Sequence, residues 1–388
     1  MKHILILLFL ISFSTNAQLN QLSPNAEIAV LTFGPGENLN DSFGHNALRI
    51  HDPSLGMDIV YGYGEYDFDT PNFYLKFAQG KLNYMMSKHQ FSDIYRFYTS
   101  YNRTIEAQVL NLTTEEKQRL YEYLVNNYKP ENRKYLYDFF YDNCATRIRD
   151  VVENAIQEPI EFKAPQNFQP KTFRELIYEH TGRNTWGSFG IDLALGSVID
   201  QEATPYEHMF LPKYIHAFFE NATLNASKKL VKTSVVLHKR LEPLKSNSFL
   251  FSPLMIFGIL LLIIIYITYS DYKHNKRSKW LDIVLFTITG ILGVVILLLW
   301  SSTDHTATAK NYNLLWAFPL NLIFIGQLLK PQITGWFRKY IKFLLIMLTL
   351  LALHWMIGVQ VYALGLIPLL IALVVRYSYM LKFNPNSA

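Results

Sequence analysis

The apolar positions fall into three regimes along the chain. Ile4 to Phe13 is a short apolar run behind the basic start Lys2-His3. About ten residues is the length of a signal-peptide core and too short to span a bilayer comfortably. Thr15-Asn16-Ala17 ends in a small residue ahead of polar Gln18-Leu19-Asn20, so residues 1–17 are predicted to be a signal peptide cleaved after Ala17. The chain from Gln18 onward is then exported. From Gln18 to Lys245 polar and apolar residues mix, with Gly, Pro, Asn and Asp punctuation and enough length for one core. Ile28–Phe33, Gly44–His51 and Asp58–Tyr66 read as strands, the last two joined by a Pro53-Ser54-Leu55-Gly56 turn. Thr113 with Glu116 forms a capping box that opens a helix to about Asn126. Asn143 caps another helix, whose Ala145, Ile148, Val152 and Ile156 share one face, and Thr172–His180 reads as a third closed by Gly182. Strands and helices mix without regular βαβ alternation, which predicts an α+β domain over 18–245.

Beyond residue 245 the pattern changes to long apolar runs. Five have roughly bilayer length: about Phe249–Tyr269, Leu281–Trp300, Leu314–Leu329, Ile341–Ile357 and Ala363–Tyr379. The predicted membrane domain therefore covers 246–388 with five transmembrane helices. Mean hydropathy of +0.08 is too high for an ordinary soluble protein and too low for one that is membrane throughout, as this division requires. The single cysteine excludes an internal disulfide scaffold.

The charge, formally +5, gathers in alternate loops of the apolar region. Lys273, Lys276, Arg277 and Lys279 separate the first two spans. Lys330, Arg338, Lys339 and Lys342 separate the third and fourth, and Arg376 and Lys382 lie at the end of the fifth or beyond it. Ser301–Tyr312 carries only Lys310. Basic loops stay cytoplasmic, so Ser301–Tyr312 faces the same side as the exported domain. Much of the positive charge is thus topological, and no nucleic-acid partner is expected.

Candidate chemistry starts with Cys144, in Tyr141-Asp142-Asn143-Cys144-Ala145-Thr146-Arg147. In the first turn of an Asn143-capped helix, the dipole and free N–H groups favour a thiolate, and a nearby N–H is available to an oxyanion. A cysteine nucleophile needs a base. The exported domain includes His45, His51, His89, His180, His208 and His216, and the residues alone do not choose among them. The exterior loop crowds polar groups, Thr303-Asp304-His305-Thr306 and Asn311-Tyr312-Asn313, just ahead of an apolar span. His354 and Gln360 fall near the outer boundary and suit helix–helix contacts as well as function. No phosphate-binding glycine loop and no zinc-spaced histidine pair stands in the sequence, so no cofactor and no metal is expected.

These stretches resemble the Lnb-type lipoprotein N-acyltransferases of the Bacteroidetes. Ser42-Phe43-Gly44-His45-Asn46-Ala47-Leu48-Arg49-Ile50, Tyr135–Arg149, Gly190-Ile191-Asp192-Leu193-Ala194-Leu195-Gly196 and Met209-Phe210-Leu211-Pro212 carry the resemblance. The loop around Asp304-His305 with Asn311 carries it too. The resemblance implies a permuted papain-like, NlpC/P60-related arrangement, in which the cysteine heads a helix packed on the strand bearing the histidine. It singles out His45 as the base. If the hairpin turn centres near Ser54–Leu55, His45 lies opposite Gly64–Glu65, making Glu65 a candidate to orient the imidazole, with Tyr63 or Asp67 as alternatives. Asn143, Arg147, Asp304, His305 and Asn311 are the expected substrate-binding residues, the loop gripping a lipid headgroup or the acceptor amine.

The implied reaction moves an acyl chain from a phospholipid to Cys144 as a thioester. The N-terminal amine of a lipoprotein's diacylglyceryl-cysteine then receives it. Two other readings stay open at this level: an NlpC/P60-like cell-wall peptidase or amidase, and a non-enzymatic membrane-anchored binding module.

Overall fold

The structure, a computed structural model, describes residues 21–383 except Gln157, Ala226 and 245–247. The predicted signal peptide and the junction at 245 lie outside the described residues. Strands β1 (Glu27–Phe33), β2 (His45–Asp52), β3 (Met57–Glu65), β4 (Asn83–Gln90), β5 (Ile105–Leu110), β6 (Lys134–Leu136) and β10 (Val231–His238) form one antiparallel sheet in the order β10-β5-β1-β2-β3-β4-β6. A small sheet joins β7 (Ile160–Glu161), β8 (Thr223–Leu224) and β9 (Lys228–Lys229).

Both faces of the large sheet are covered, which explains why β1 reads as a continuous apolar run rather than an alternating one. Helices interleave with the strands: α1 (Phe73–Ala78), α2 (Phe91–Ser100), α3 (Thr114–Asn127), α4 (Cys144–Ala155), α5 (Phe173–Thr181), α6 (Trp186–Ala194), α7 (Pro205–His208) and α8 (Pro212–Asn221). On one face Ile28, Val30, Leu48 and Ile50 pack against α3, α4 and α8 through Leu120, Ile148, Val152 and Ile215. On the other, Leu31, Phe33, Ala47 and Val60 pack on Tyr98 of α2. The predicted strands and the three predicted helices form within one or two residues of expectation. Thr113 and Thr172 make reciprocal capping boxes with Glu116 and Glu175. These boundaries are local hydrogen-bond chemistry, which is why they could be read from sequence.

The C-terminal domain is helical. α9 (Pro253–Lys273), α10 (Lys279–Ser301) and α12 (Gly335–Met356) are long and apolar enough to cross a membrane, with mean hydropathy 2.3, 2.7 and 1.5. α13 (Leu366–Lys382) is shorter, at 17 residues. Leu314–Leu329, expected as a span, is not one helix. Two 3₁₀ turns, Tyr312–Leu315 and Pro319–Asn321, precede the short α11 (Ile325–Leu328). The segment nevertheless runs the length of the bundle. Tyr312 N–H donates to Gln360 at the end facing the sheet domain, and Leu328 and Lys330 carbonyls accept from Arg277 in the α9–α10 loop.

Pro319 removes a helical donor, and side-chain hydrogen bonds hold the irregular segment in place. Asn321 donates to Thr289 at 2.8 Å and accepts from Tyr340, while Trp316 donates to Asn313. Irregular backbone at membrane depth is tolerable only where protein surrounds it. Gly293 makes room, since a Cβ there would lie 2.3 Å from the Ala317 carbonyl oxygen. Gly293→Val is expected to displace the segment and destabilise the bundle by about 1–3 kcal/mol. Thermal unfolding in detergent checks this, and an unchanged midpoint would count against the close-packed path.

The basic loops gather at one end of the bundle. Arg277 and Lys279 donate to carbonyls of 328–330, and Arg338 donates to those of Leu381 and Phe383. The opposite end meets the sheet domain.

Candidate active site

Asn143 starts the site. Its side-chain oxygen accepts from the Ala145 and Thr146 N–H groups at 2.8 and 2.9 Å, which opens α4. Its amide donates to the Phe139 and Phe210 carbonyls, so one side chain ties the Cys144 turn to the loop before α8. Cys144 follows at the first helical position, as expected. It lines a cavity of about 480 Å³ together with His45. The backbone N–H groups of Asn46, next in chain to His45, and of Ala145 and Cys144 itself lie near enough to the Cys144 sulfur to favour its charged form. Below them, a Cβ on Gly64 would meet Cys144 Cβ at 3.9 Å, and one on Gly62 would meet His45 Nε2 at 3.5 Å.

The remaining walls are largely aromatic. Phe43, Tyr63, Tyr66, Tyr84, Tyr137 and Phe139 supply them, Tyr84 and Tyr137 stacked with ring centroids 4.4 Å apart. Asn40 adds a polar group that sequence reading missed, since nothing in its loop marked it. His45 stacks on Phe33, and Phe33 stacks on Tyr98 at 3.8 Å. Arg103 closes this row over the Tyr98 ring, almost wholly buried and bonded to the Gly34 carbonyl at 2.8 Å.

Burial sets the titration of the pair. It pushes the Cys144 thiol up to about 11, although the three N–H groups and the Arg103 charge pull the other way. Burial, helped by Arg103, lowers His45 to about 4. The thiolate expected from the helix terminus is therefore not the resting form, because desolvation outweighs the dipole here. At neutral pH the two groups rest as thiol and neutral imidazole.

Several expected partners stand elsewhere. The hairpin register is as predicted, Ala47 opposite Gly62, which carries His45 toward Gly64. Glu65 does not line the cavity. A register shift in the β3–β4 pairing between Tyr63 and Glu65 turns its carboxylate aside, and it binds His89 Nε2 at 2.7 Å. Glu65→Ala is accordingly expected to leave turnover within about twofold, as for a surface substitution away from special features. A loss beyond about tenfold in a transfer assay would restore it to the site. Of the alternatives, Tyr63 lines the cavity and donates to Asn127 at 2.6 Å, whereas Asp67 only caps its own turn.

Arg147 is held by Asp142 at 2.7 Å and lies over the Tyr135 ring, outside the cavity lining. Asn311 is fully buried and donates to the Leu193 and Ala194 carbonyls, which makes it a joint between domains rather than a substrate contact. Asp304 is exposed, and its N–H donates to the Gln79 carbonyl. His305 does reach the cavity wall, its Nε2 bonded to the Phe77 carbonyl at 3.0 Å. Thr306 donates to Asp138, whose other carboxylate oxygen accepts from the Phe140 and Tyr141 N–H groups ahead of Cys144. The membrane-side loop thus forms part of the cavity wall. Among the described residues, no group of three His, Cys, Asp or Glu side chains is arranged to hold a metal ion.

Two family models match this chain. One, described as the Lnb N-terminal periplasmic domain, covers residues 14–178 and includes His45 and Cys144. The other, described as the Lnb transmembrane domain, covers residues 245–386 and includes His305. No curated protein and no solved structure matches.

Proposed function

The chain belongs to the Lnb-type family, whose periplasmic and transmembrane domains it carries in that order, and from this membership we propose that it is a cysteine-dependent lipoprotein N-acyltransferase. Membership points to an enzyme of lipoprotein maturation at a membrane, with its N-terminal domain in the periplasm. The finer reading adds the bacterial cytoplasmic membrane as the site and a phospholipid as acyl donor.

The observation that carries it is the aromatic-walled cavity in which Cys144 and His45 meet a loop of the membrane domain. At about 480 Å³ it lies within the range of small-ligand cavities, ~300–1,000 Å³. The Cys144 sulfur attacks the ester carbonyl of a phospholipid while His45 accepts the thiol proton. That proton passes to the departing lysophospholipid oxygen, leaving a thioester on Cys144. The lipoprotein amine then attacks the thioester, His45 takes a proton from nitrogen, and the proton returns to the sulfur. The N–H groups of Asn46 and Cys144 are the donors at hand for the oxyanion in both halves. A cysteine heading a helix that packs beside the histidine strand is also the layout of a permuted papain-like centre.

The neutral resting pair suits this chemistry, because proton transfer from sulfur can accompany attack rather than precede it. Purified protein in vesicles, supplied with a diacylated lipopeptide, is expected to add one acyl chain, read by mass spectrometry. A hydroxylamine-sensitive acyl adduct should sit on Cys144. Cleavage of muropeptides without any need for lipid would instead establish a cell-wall hydrolase.

A further inference from the structure

α1 and the turn before it carry an unusual surface. Tyr74 is 79% exposed, Phe68 66%, Leu75 58% and Phe77 53%, all within ten residues. Soluble surfaces rarely gather large apolar side chains this densely, and no element of the described chain covers these four. The patch is also continuous with the cavity, since Tyr66 and Phe77 line its wall.

Its height relative to the membrane follows from the loop beside it. α10 ends at Ser301, one residue after Trp300, where an apolar span gives way to polar Ser301-Ser302-Thr303-Asp304. An aromatic residue at that position marks the headgroup level. Asp304 donates its N–H to the Gln79 carbonyl at 2.8 Å, and His305 bonds the Phe77 carbonyl. A Cβ at Gly80 would lie 3.1 Å from the His305 nitrogen, so the two backbones touch. α1 therefore sits within a few residues of the membrane boundary, with its aromatic side chains uncovered.

We infer that α1 and the Tyr66–Phe68 turn form a platform immersed in the outer face of the bilayer, and that donor lipid passes from the bilayer along this platform into the Cys144 cavity. Aromatic side chains at headgroup depth are favourable because their faces meet acyl chains while hydroxyls and backbone stay wet. The lipid route rests on the acyl-transfer reading; the immersion does not.

The test uses the full chain in phosphatidylcholine vesicles. Cys144→Ser removes the native thiol, and single cysteines at Phe68, Tyr74 or Ser54 carry an environment-sensitive fluorophore. Ser54 is the control, in the turn that closes the far end of β2 from His45, roughly 25–30 Å away at about 3.3 Å per residue. Labels at Phe68 and Tyr74 are expected to shift to the blue and to be quenched by lipids bearing a spin label high on the acyl chain, while Ser54 is not. Water-like emission at all three positions overturns the immersion.

A second arm uses the native cysteine with Phe68→Ser, Tyr74→Ser and Leu75→Ser combined, none of which lines the cavity. Acylation from vesicle phospholipid should fall about 10-fold or more, while acylation by a water-soluble short-chain ester stays unchanged. An equal loss from both donors, or from neither, overturns the lipid route. If the parent chain forms no Cys144 adduct with either donor, the acyl-transfer reading fails, and the depth result stands apart from it.

Discussion

A Cys144→Ser chain will insert and fold yet transfer no acyl group, with activity down by ~10⁴-fold or more, the scale of losing a covalent nucleophile. His45→Ala should match it, because a thiol that ordinarily ionises only near pH 11 has no other route to give up its proton at neutral pH. The pH dependence makes the assignment specific. His45 must be neutral to accept that proton, and its depressed value keeps it neutral above about 4. Acylation of Cys144 by the donor, measured without the acceptor amine, should therefore hold through about pH 5–8 and fall only as pH drops through about 4, not through the 6.5 of an ordinary imidazole. Alkylation of Cys144 should climb about tenfold per pH unit from about 6 to 9, since only the scarce thiolate reacts. A plateau in alkylation rate above about pH 7 would mean a preformed thiolate and refute the neutral resting pair. Slow labelling at neutral pH is thus expected of the enzyme itself and does not favour a mere binding module.

Arg174→Met should destabilise the periplasmic domain by about 3–5 kcal/mol, the usual cost of stranding a buried charge. Arg174 is 1% exposed and holds Asp192 at 2.6 Å, Asp200 at 2.7 Å and the Gly196 carbonyl at 3.1 Å. Tyr178 donates to Asp192 as well. This cluster shapes the 190–196 stretch, which docks on the membrane-side loop through Gly196 N–H to the Ala307 carbonyl and Ser197 N–H to that of Lys310. A Cβ at Gly196 would lie 1.9 Å from the Ala309 carbonyl oxygen, so the joint admits no side chain there. Differential scanning fluorimetry should report the lowered midpoint, and limited proteolysis should find 301–312 newly accessible. A variant that melts with the parent and protects that loop would show that the ion cluster does not hold the joint. Arg174→Lys, which keeps the charge without the planar fork, should recover only part of the loss.

The sequence by itself determined the features that local chemistry sets. Asn143 caps α4 because its short amide reaches the next N–H groups whatever surrounds it, and that put Cys144 at a helix head. The Pro53–Gly56 turn counted out the β2–β3 register and brought His45 toward Gly64. Alternation and apolar runs separated a sheet domain from a membrane domain. The choice of His45 among the histidines came from family resemblance, not from the residues alone.

What only the tertiary structure decided depends on groups distant in sequence. Glu65 turns to His89 because β4 imposes a register shift on β3, and no window around Glu65 contains β4. Asn311 is a joint because Leu193 and Ala194, over a hundred residues earlier, present their carbonyls to it. Leu314–Leu329 is apolar enough to read as a helix, but Gly293 on a neighbouring helix leaves room for an irregular path and Asn321 ties that path to Thr289 of the same helix. The thiol's upward shift likewise reflects how deeply the assembled walls bury it, a quantity that hydropathy along the chain does not contain.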